Sequence, residues 1–160
     1  MQVSAEMFNL VSGIRTVGIA YKGGAPAVAD LAAGHVQFAF PTLPSVLPFV
    51  KSGRVRAIAV STAQRSALLP EVPTMIESGV KDFDFAEWYG LFVPAGVAAD
   101  IVRRLNEEAV AVLRQSDVRE RFAVQGLEAL SGTPEQFGEL VRRDLARFGD
   151  VVRRAGIKVE

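Results

Sequence analysis

The sequence predicts an α/β fold, with strand–helix alternation around a largely parallel sheet followed by long C-terminal helices. Three observations lead there. Short apolar runs ("RTVGIAY", "HVQFAF", "VRAIAVS") alternate with short helical patterns across the first half of the chain, joined by brief connections. Ile58-Ala59-Val60 is continuously apolar, as in a strand covered on both faces. Beyond Gly96 the apolar spacing becomes that of helices and stays so.

The elements follow in order. Residues 3–12 place Val3, Met7, Leu10 and Val11 on one helical face, with Gly13 as a stop. "RTVGIAY" is a first strand, and the Gly23-Gly24-Ala25-Pro26 turn opens a helix. Pro26 suits the first turn, where its missing N–H costs nothing. Val28 and Leu31 form that helix's inner side and Gly34 ends it. "HVQFAF" is a second strand, "PTLPSVLPFVKSG" a loop and short helix, and "VRAIAVS" a third strand. Thr74 to Glu77 has the pattern of a capping box on a helix of little more than one turn, closed by Gly79. "FDFAEWYGLFV" reads as a long extended segment ended by Pro94 and Gly96. One long helix then carries Ile101, Val102, Leu105, Val112 and Leu113 on one face. A short helix surrounds "DVRERFAVQG". The last helix opens at the capping box Thr133-Pro134-Glu135-Gln136 and turns Phe137, Leu140, Val141, Leu145, Phe148, Val151 and Val152 inward.

Composition narrows the function. The 160 residues are 49% hydrophobic, enough for a real core. Eighteen basic residues balance eighteen acidic ones, so no concentrated basic patch points to nucleic acid or to a membrane surface. The paired arginines at 103–104, 142–143 and 153–154 alternate with acids and read as solvated helix faces. With no Cys and a single His, neither a His/Cys zinc site nor a Ser-His hydrolase centre finds its residues. Nucleophile-elbow, Walker and HExxH patterns are absent too, so no catalytic residue and no metal ligand is assigned. The apolar runs are too short for a membrane span. The N-terminus reads as an amphipathic helix rather than a secretory signal, so the chain is expected to begin inside folded structure.

Candidate ligand residues gather at one predicted sheet edge. The Lys22-Gly23-Gly24-Ala25 stretch follows a strand and precedes a helix, where open α/β sheets bind ligands. Bare N–H groups at a helix start favour a phosphate or carboxylate. A plain tight turn explains the two glycines equally well. Thr42 and Ser45 stand at the neighbouring helix start, where capping is the simpler role and ligand contact the alternative. His35 reads as a surface turn residue. Trp88 and Tyr89 read as core or hinge. Asp144, amid the apolar stripe of the last helix, needs a partner, and a structural salt bridge to a basic residue of a neighbouring segment is expected.

Five segments occurring in this order, "AYKGGAPAVADLAAGHVQFAF", "GRVRAIAVSTAQR", "LLPEVPTMIESG", "WYGLFVPAG" and "GTPEQFGELVRRDLARFGDVVRRAGIK", resemble the Bug family, the solute-binding receptors of tripartite tricarboxylate transporters. The resemblance covers about Ala5 to Lys158. It implies a partial periplasmic-binding-protein type II fold, with residues 1–82 in the second lobe and 83–160 forming a crossover strand and helices that return toward the first. It also implies capture of a small organic carboxylate in the periplasm for membrane transporter subunits, with no catalysis and no cofactor. Carried onto this chain, the ligand residues are Gly23, Gly24, Ala25 and Pro26, with Thr42 and Ser45. Asp144 falls where relatives usually carry Glu on the last helix.

Three departures qualify the likeness. Gly18-Ile19-Ala20 replaces a frequent His-Val-Pro, and Pro41 replaces a frequent Asp, so amino-acid specificity is not implied. The chain also resembles only about the C-terminal half of a full-length member. One cleft wall is therefore expected to be incomplete, with apolar helix faces left exposed. The alternative is a truncated, non-binding remnant that persists as a homo-oligomer.

Overall fold

The computed structural model describes residues 2–157. Six helices are present among them: α1 (Gln2–Ser12), α2 (Gly24–Ala33), α3 (Leu43–Lys51), α4 (Ala99–Leu113), α5 (Ser116–Val124) and α6 (Pro134–Ala155). The sequence signals at their ends act as expected. Gly34 adopts a left-handed φ of 79° past α2, and its N–H donates to the Leu31 carbonyl at 3.1 Å. At the start of α6 the Thr133 N–H donates to Gln136 Oε1 (2.9 Å), and the Gln136 N–H donates to Thr133 Oγ1 (3.2 Å). The same reciprocal pair forms between Thr74 and Glu77, at 2.7 and 3.0 Å. There it closes consecutive turns rather than an α-helix.

The strands are where the structure departs from expectation. Among the described residues, 15–21, 35–40 and 83–93 belong to no sheet ladder, and the third run contributes one isolated parallel bridge, Val60 to Thr74. That bridge rests on the Val60 N–H donating to the Pro73 carbonyl (2.8 Å) and the Met75 N–H donating to the Val60 carbonyl (2.9 Å). Next to it, Ser61 exchanges two 2.7 Å bonds with Phe85: the Phe85 N–H donates to the Ser61 carbonyl, and Ser61 Oγ donates to the Phe85 carbonyl. An apolar run makes an extended segment, but a strand also requires a neighbour about 4.8 Å away presenting its own N–H and C=O groups. Segments 15–21 and 35–40 form no such pairing among the described residues.

The chain divides into two compact units, one formed by residues up to Glu87 together with those from Asp150 onward, the other by Trp88–Gly149. The first holds the apolar core. Phe83, fully enclosed, stacks on Phe40 at 5.7 Å between ring centres and meets Phe8 edge-on at 6.3 Å. Leu47, Leu69 and Val72 form a second cluster against Leu43, Val50, Ala57 and Val60. Helix α2 buries Ala27 and Val28 and packs on α3, which buries Val46 and Leu47.

In the second unit Trp88 packs edge-to-face on Phe137 at 5.2 Å, and Phe92 lies 5.3 Å from the same ring. A Cβ on Gly90 would overlap that ring, so the glycine is needed for the close approach. Asp144 is buried, and its two oxygens are held separately. The Trp88 indole N–H donates to Oδ2 at 2.8 Å, and Arg143 Nε lies 3.2 Å from Oδ1. The expected salt bridge exists, but its basic partner is the adjacent residue of the same helix rather than one from another segment. Trp88 is thus a packing and hydrogen-bonding residue, while Tyr89 is exposed.

Candidate functional site: two uncapped helix starts

The site is built from the starts of α2 and α3. Gly23 precedes α2 with φ 106° and ψ 179°, a conformation essentially reserved for glycine. That backbone brings the chain abruptly into the helix, leaving the Gly24 and Ala25 N–H groups without intrahelical acceptors, while Pro26 contributes no N–H. Thr42 precedes α3, and Pro44 occupies its first turn. The two helix starts adjoin: a Cβ placed on Gly24 would lie in ordinary contact with Ser45 Oγ, at 3.7 Å. Gly23, Gly24, Ala25 and Pro26 are therefore in one segment, with Ser45 beside Gly24 and Thr42 bonded to Ser45.

Neither helix start is neutralised. Gly23 has no side chain with which to cap, and Thr42 makes no side-chain capping bond. The Thr42 hydroxyl instead donates to Ser45 Oγ at 3.1 Å, and Ser45 Oγ donates to the Thr42 carbonyl at 2.8 Å. No acidic residue lies in the first turn of α2 or α3, whereas α4, α5 and α6 carry Asp100, Asp117 and Glu135 there. Two positive helix ends thus share a small polar surface without a carboxylate of their own.

One cluster escaped sequence reasoning. The Tyr21 hydroxyl donates to Asp30 Oδ2 at 2.8 Å, and His35 Nδ1 lies 3.2 Å from Asp30 Oδ1. The His35 N–H also donates to the Asp30 carbonyl at 2.9 Å. Hydrogen bonding by Tyr21, then by His35, holds the Asp30 carboxyl below its ordinary value of 3.8. The same bond to Asp30 raises the Tyr21 phenol above 10.0. The depressed Asp30 contributes stability that is complete above 3.8 and fades as pH falls through its lower folded value. The raised Tyr21 contributes stability that is complete below 10.0 and fades as pH rises through its higher folded value. Thermal melts across pH should therefore show the largest gap between wild type and Tyr21→Phe on the plateau between these limits, closing at both ends.

Elsewhere chemistry is sparse. Among the described residues no group of three His, Asp or Glu side chains is placed to hold a metal ion, and no helix is long and apolar enough to cross a membrane. An open concavity beside α5 is lined by Asp117, Glu120, Arg121, Val124 and Gln125, all from one helix and its end. Its Arg121 and Asp117 already face each other at 3.7 Å.

Solved structures similar to this chain define its class. An adipate-bound protein of R. palustris overlays with a TM-score of 0.84 at 32% identity, covering 97% of this chain and 52% of that one. Malate-bound MatC from Rhodopseudomonas palustris overlays at 0.77 with 31% identity, covering 94% and 52%. The periplasmic binding protein BugD overlays at 0.78 with 29% identity, covering 99% and 54%. The fold is thus an α/β periplasmic-binding-protein fold in part.

The family model described as the tripartite tricarboxylate transporter family receptor matches residues 1–157, and the chain belongs to that family. Protein BugT of Bordetella pertussis is 36% identical over 155 residues, 97% of this chain and 48% of BugT. A UPF0065 protein from the clcB-clcD intergenic region of Pseudomonas knackmussii is 31% identical over 95% of this chain and 90% of its own length. The chain spans about half the length of BugT and of the three structures, and nearly all of the P. knackmussii protein.

Proposed function

We propose that this chain is a solute-binding receptor, or part of one, that captures a small organic carboxylate in the periplasm for a tripartite transporter. The observation that carries this reading is the pair of uncapped helix starts, which offer N–H donors and positive potential with no acidic residue in either first turn. Gly23, Gly24, Ala25 and Pro26 form one wall of the site. Ser45 and Thr42 offer hydroxyls beside it. Binding, not turnover, is the activity assigned, and membrane transporter subunits are the onward partners. Adipate and malate bound in two structural neighbours support a carboxylate as the ligand class.

The test is a thermal-shift series against mono-, di- and tricarboxylates. A ligand at a hundred times its dissociation constant stabilises a one-site binder by about 2.7 kcal/mol, a clear upward shift. A cooperative melt that no carboxylate moves would overturn the reading.

A second reading, a non-binding chain that self-associates, is favoured by surface area. The chain exposes 11330 Å². Even two separate compact bodies of these sizes would expose only about 9,300 Å². Covered on both copies of a dimer, that excess of about 2,000 Å² per chain would bury about 4,000 Å² in total, within the range of obligate homodimer interfaces. It includes Leu91, Phe92, Ile101, Leu105 and Leu145, all more than 40% exposed. On this reading a second copy covers those faces, and sedimentation velocity at micromolar concentration should find a dimer. A monomer there, soluble and cooperative in melting, contradicts it.

A further inference from the structure

We propose that Asp30 is a positioning residue for the anion-binding loop: it clasps Tyr21 from one side and His35 from the other, and so fixes the direction of the Gly24 and Ala25 N–H groups. The inference rests on the binding reading above but concerns residues that reading does not use. Tyr21 stands two residues before Gly23, and its hydroxyl reaches forward nine residues to Asp30 Oδ2 at 2.8 Å. The chain between them is Lys22, the two glycines and the first turns of α2. This bond therefore closes the turn against the helix that the turn opens.

A clasp is needed because the turn is weakly held by anything else. Gly23 and Gly24 carry no side chains, and the turn's conformation at Gly23 (φ 106°) is one that only glycine adopts readily. Two consecutive glycines lose much conformational freedom when ordered, so an unclasped loop would sample many directions for its N–H groups. Donors that are already aimed bind an anion more tightly than donors that must first be ordered. Asp30 itself is kept in place at the far end of the helix. His35 Nδ1 faces its second oxygen at 3.2 Å, and the His35 N–H donates to its carbonyl at 2.9 Å. The carboxylate thus links the segment leading into α2, through Tyr21, with the turn leaving it, through His35.

The experiment is a double-mutant cycle read by calorimetric titration with adipate and malate, alongside backbone nitrogen-15 relaxation of the unliganded protein. Tyr21→Phe and Asp30→Ala should each weaken binding by about tenfold, the usual scale of a lost hydrogen bond to a charged group, and the double variant should be no weaker than either. Asp30→Asn keeps an acceptor for Tyr21 and should retain most of the affinity. Asp150→Asn, at an exposed position of α6, serves as the control and should match wild type. The Gly24 and Ala25 amides should show lower backbone order parameters in Asp30→Ala, with the α6 amides unchanged. Equal affinities in all variants, or losses that add in the double variant, would overturn the proposal. If wild type binds neither acid, the binding reading fails by itself, and the order parameters then decide the clasp: unchanged Gly24 and Ala25 values in Asp30→Ala refute it, and lower values uphold it.

Discussion

Phe83→Ala is expected to lower the free energy of unfolding by about 3–5 kcal/mol, the cost of removing a large buried ring and leaving a cavity. The size follows from position. Phe83 is completely enclosed, the largest side chain among the described residues of which this is true, and its ring contacts Phe40 and Phe8 at centroid distances of 5.7 and 6.3 Å. Those partners come from α1 and from the extended segment before α3, so the ring ties together three stretches far apart in sequence. No ladder of backbone hydrogen bonds joins those stretches among the described residues, which leaves side-chain packing to hold them. Urea denaturation followed by circular dichroism measures the loss. Leu145→Ala, at a side chain 70% exposed, is the comparator and should change stability by no more than about 0.5 kcal/mol. Similar effects from the two substitutions would remove Phe83 from the centre of the core.

Gly23→Ala should cost about 1–3 kcal/mol in backbone strain and should also abolish measurable carboxylate binding. At φ 106° and ψ 179° a Cβ is strained whatever the surroundings, and the surroundings here are open. The chain relieves that strain by turning the Gly23–Gly24 peptide, which redirects the N–H groups proposed to hold the carboxylate. Gly53→Ala separates the two consequences. Gly53 also has a positive φ, 70°, with open space around it, but it lies past the end of α3, away from the helix starts. That variant should lose stability and keep its affinity.

The sequence disclosed what is local and concealed what is not. Both capping boxes, the Gly34 stop and the helix opening at Gly24 are fixed by residues within four positions of one another, and each was legible. The parallel bridge between Val60 and Thr74 and the missing ladders elsewhere depend on neighbours the pattern of an apolar run does not specify. In the same way Asp144 was recognisable as a charge needing a partner, yet Trp88, 56 residues away, could not be singled out by spacing. Within the site, the Gly-Gly-Ala-Pro loop and the Thr42 and Ser45 hydroxyls stood out because each residue type has a known use at a helix start. The Tyr21–Asp30 clasp did not, since a nine-residue separation across a turn belongs to no helical or strand period. An Asp near a helix end followed by Gly-His was the only available signal. Thr42 shows the opposite lesson: a residue ideal for capping is drawn instead to the Ser45 hydroxyl.

Amide nuclear magnetic resonance of the protein during titration with adipate tests the central claim most directly, because it reads the individual N–H groups. If the uncapped helix starts hold the carboxylate, the Gly24 and Ala25 resonances move first and furthest and saturate together, with Ser45 following. Saturable shifts confined to other residues, or none at all at millimolar adipate, malate and citrate, would contradict the assignment of this loop as an anion-binding site.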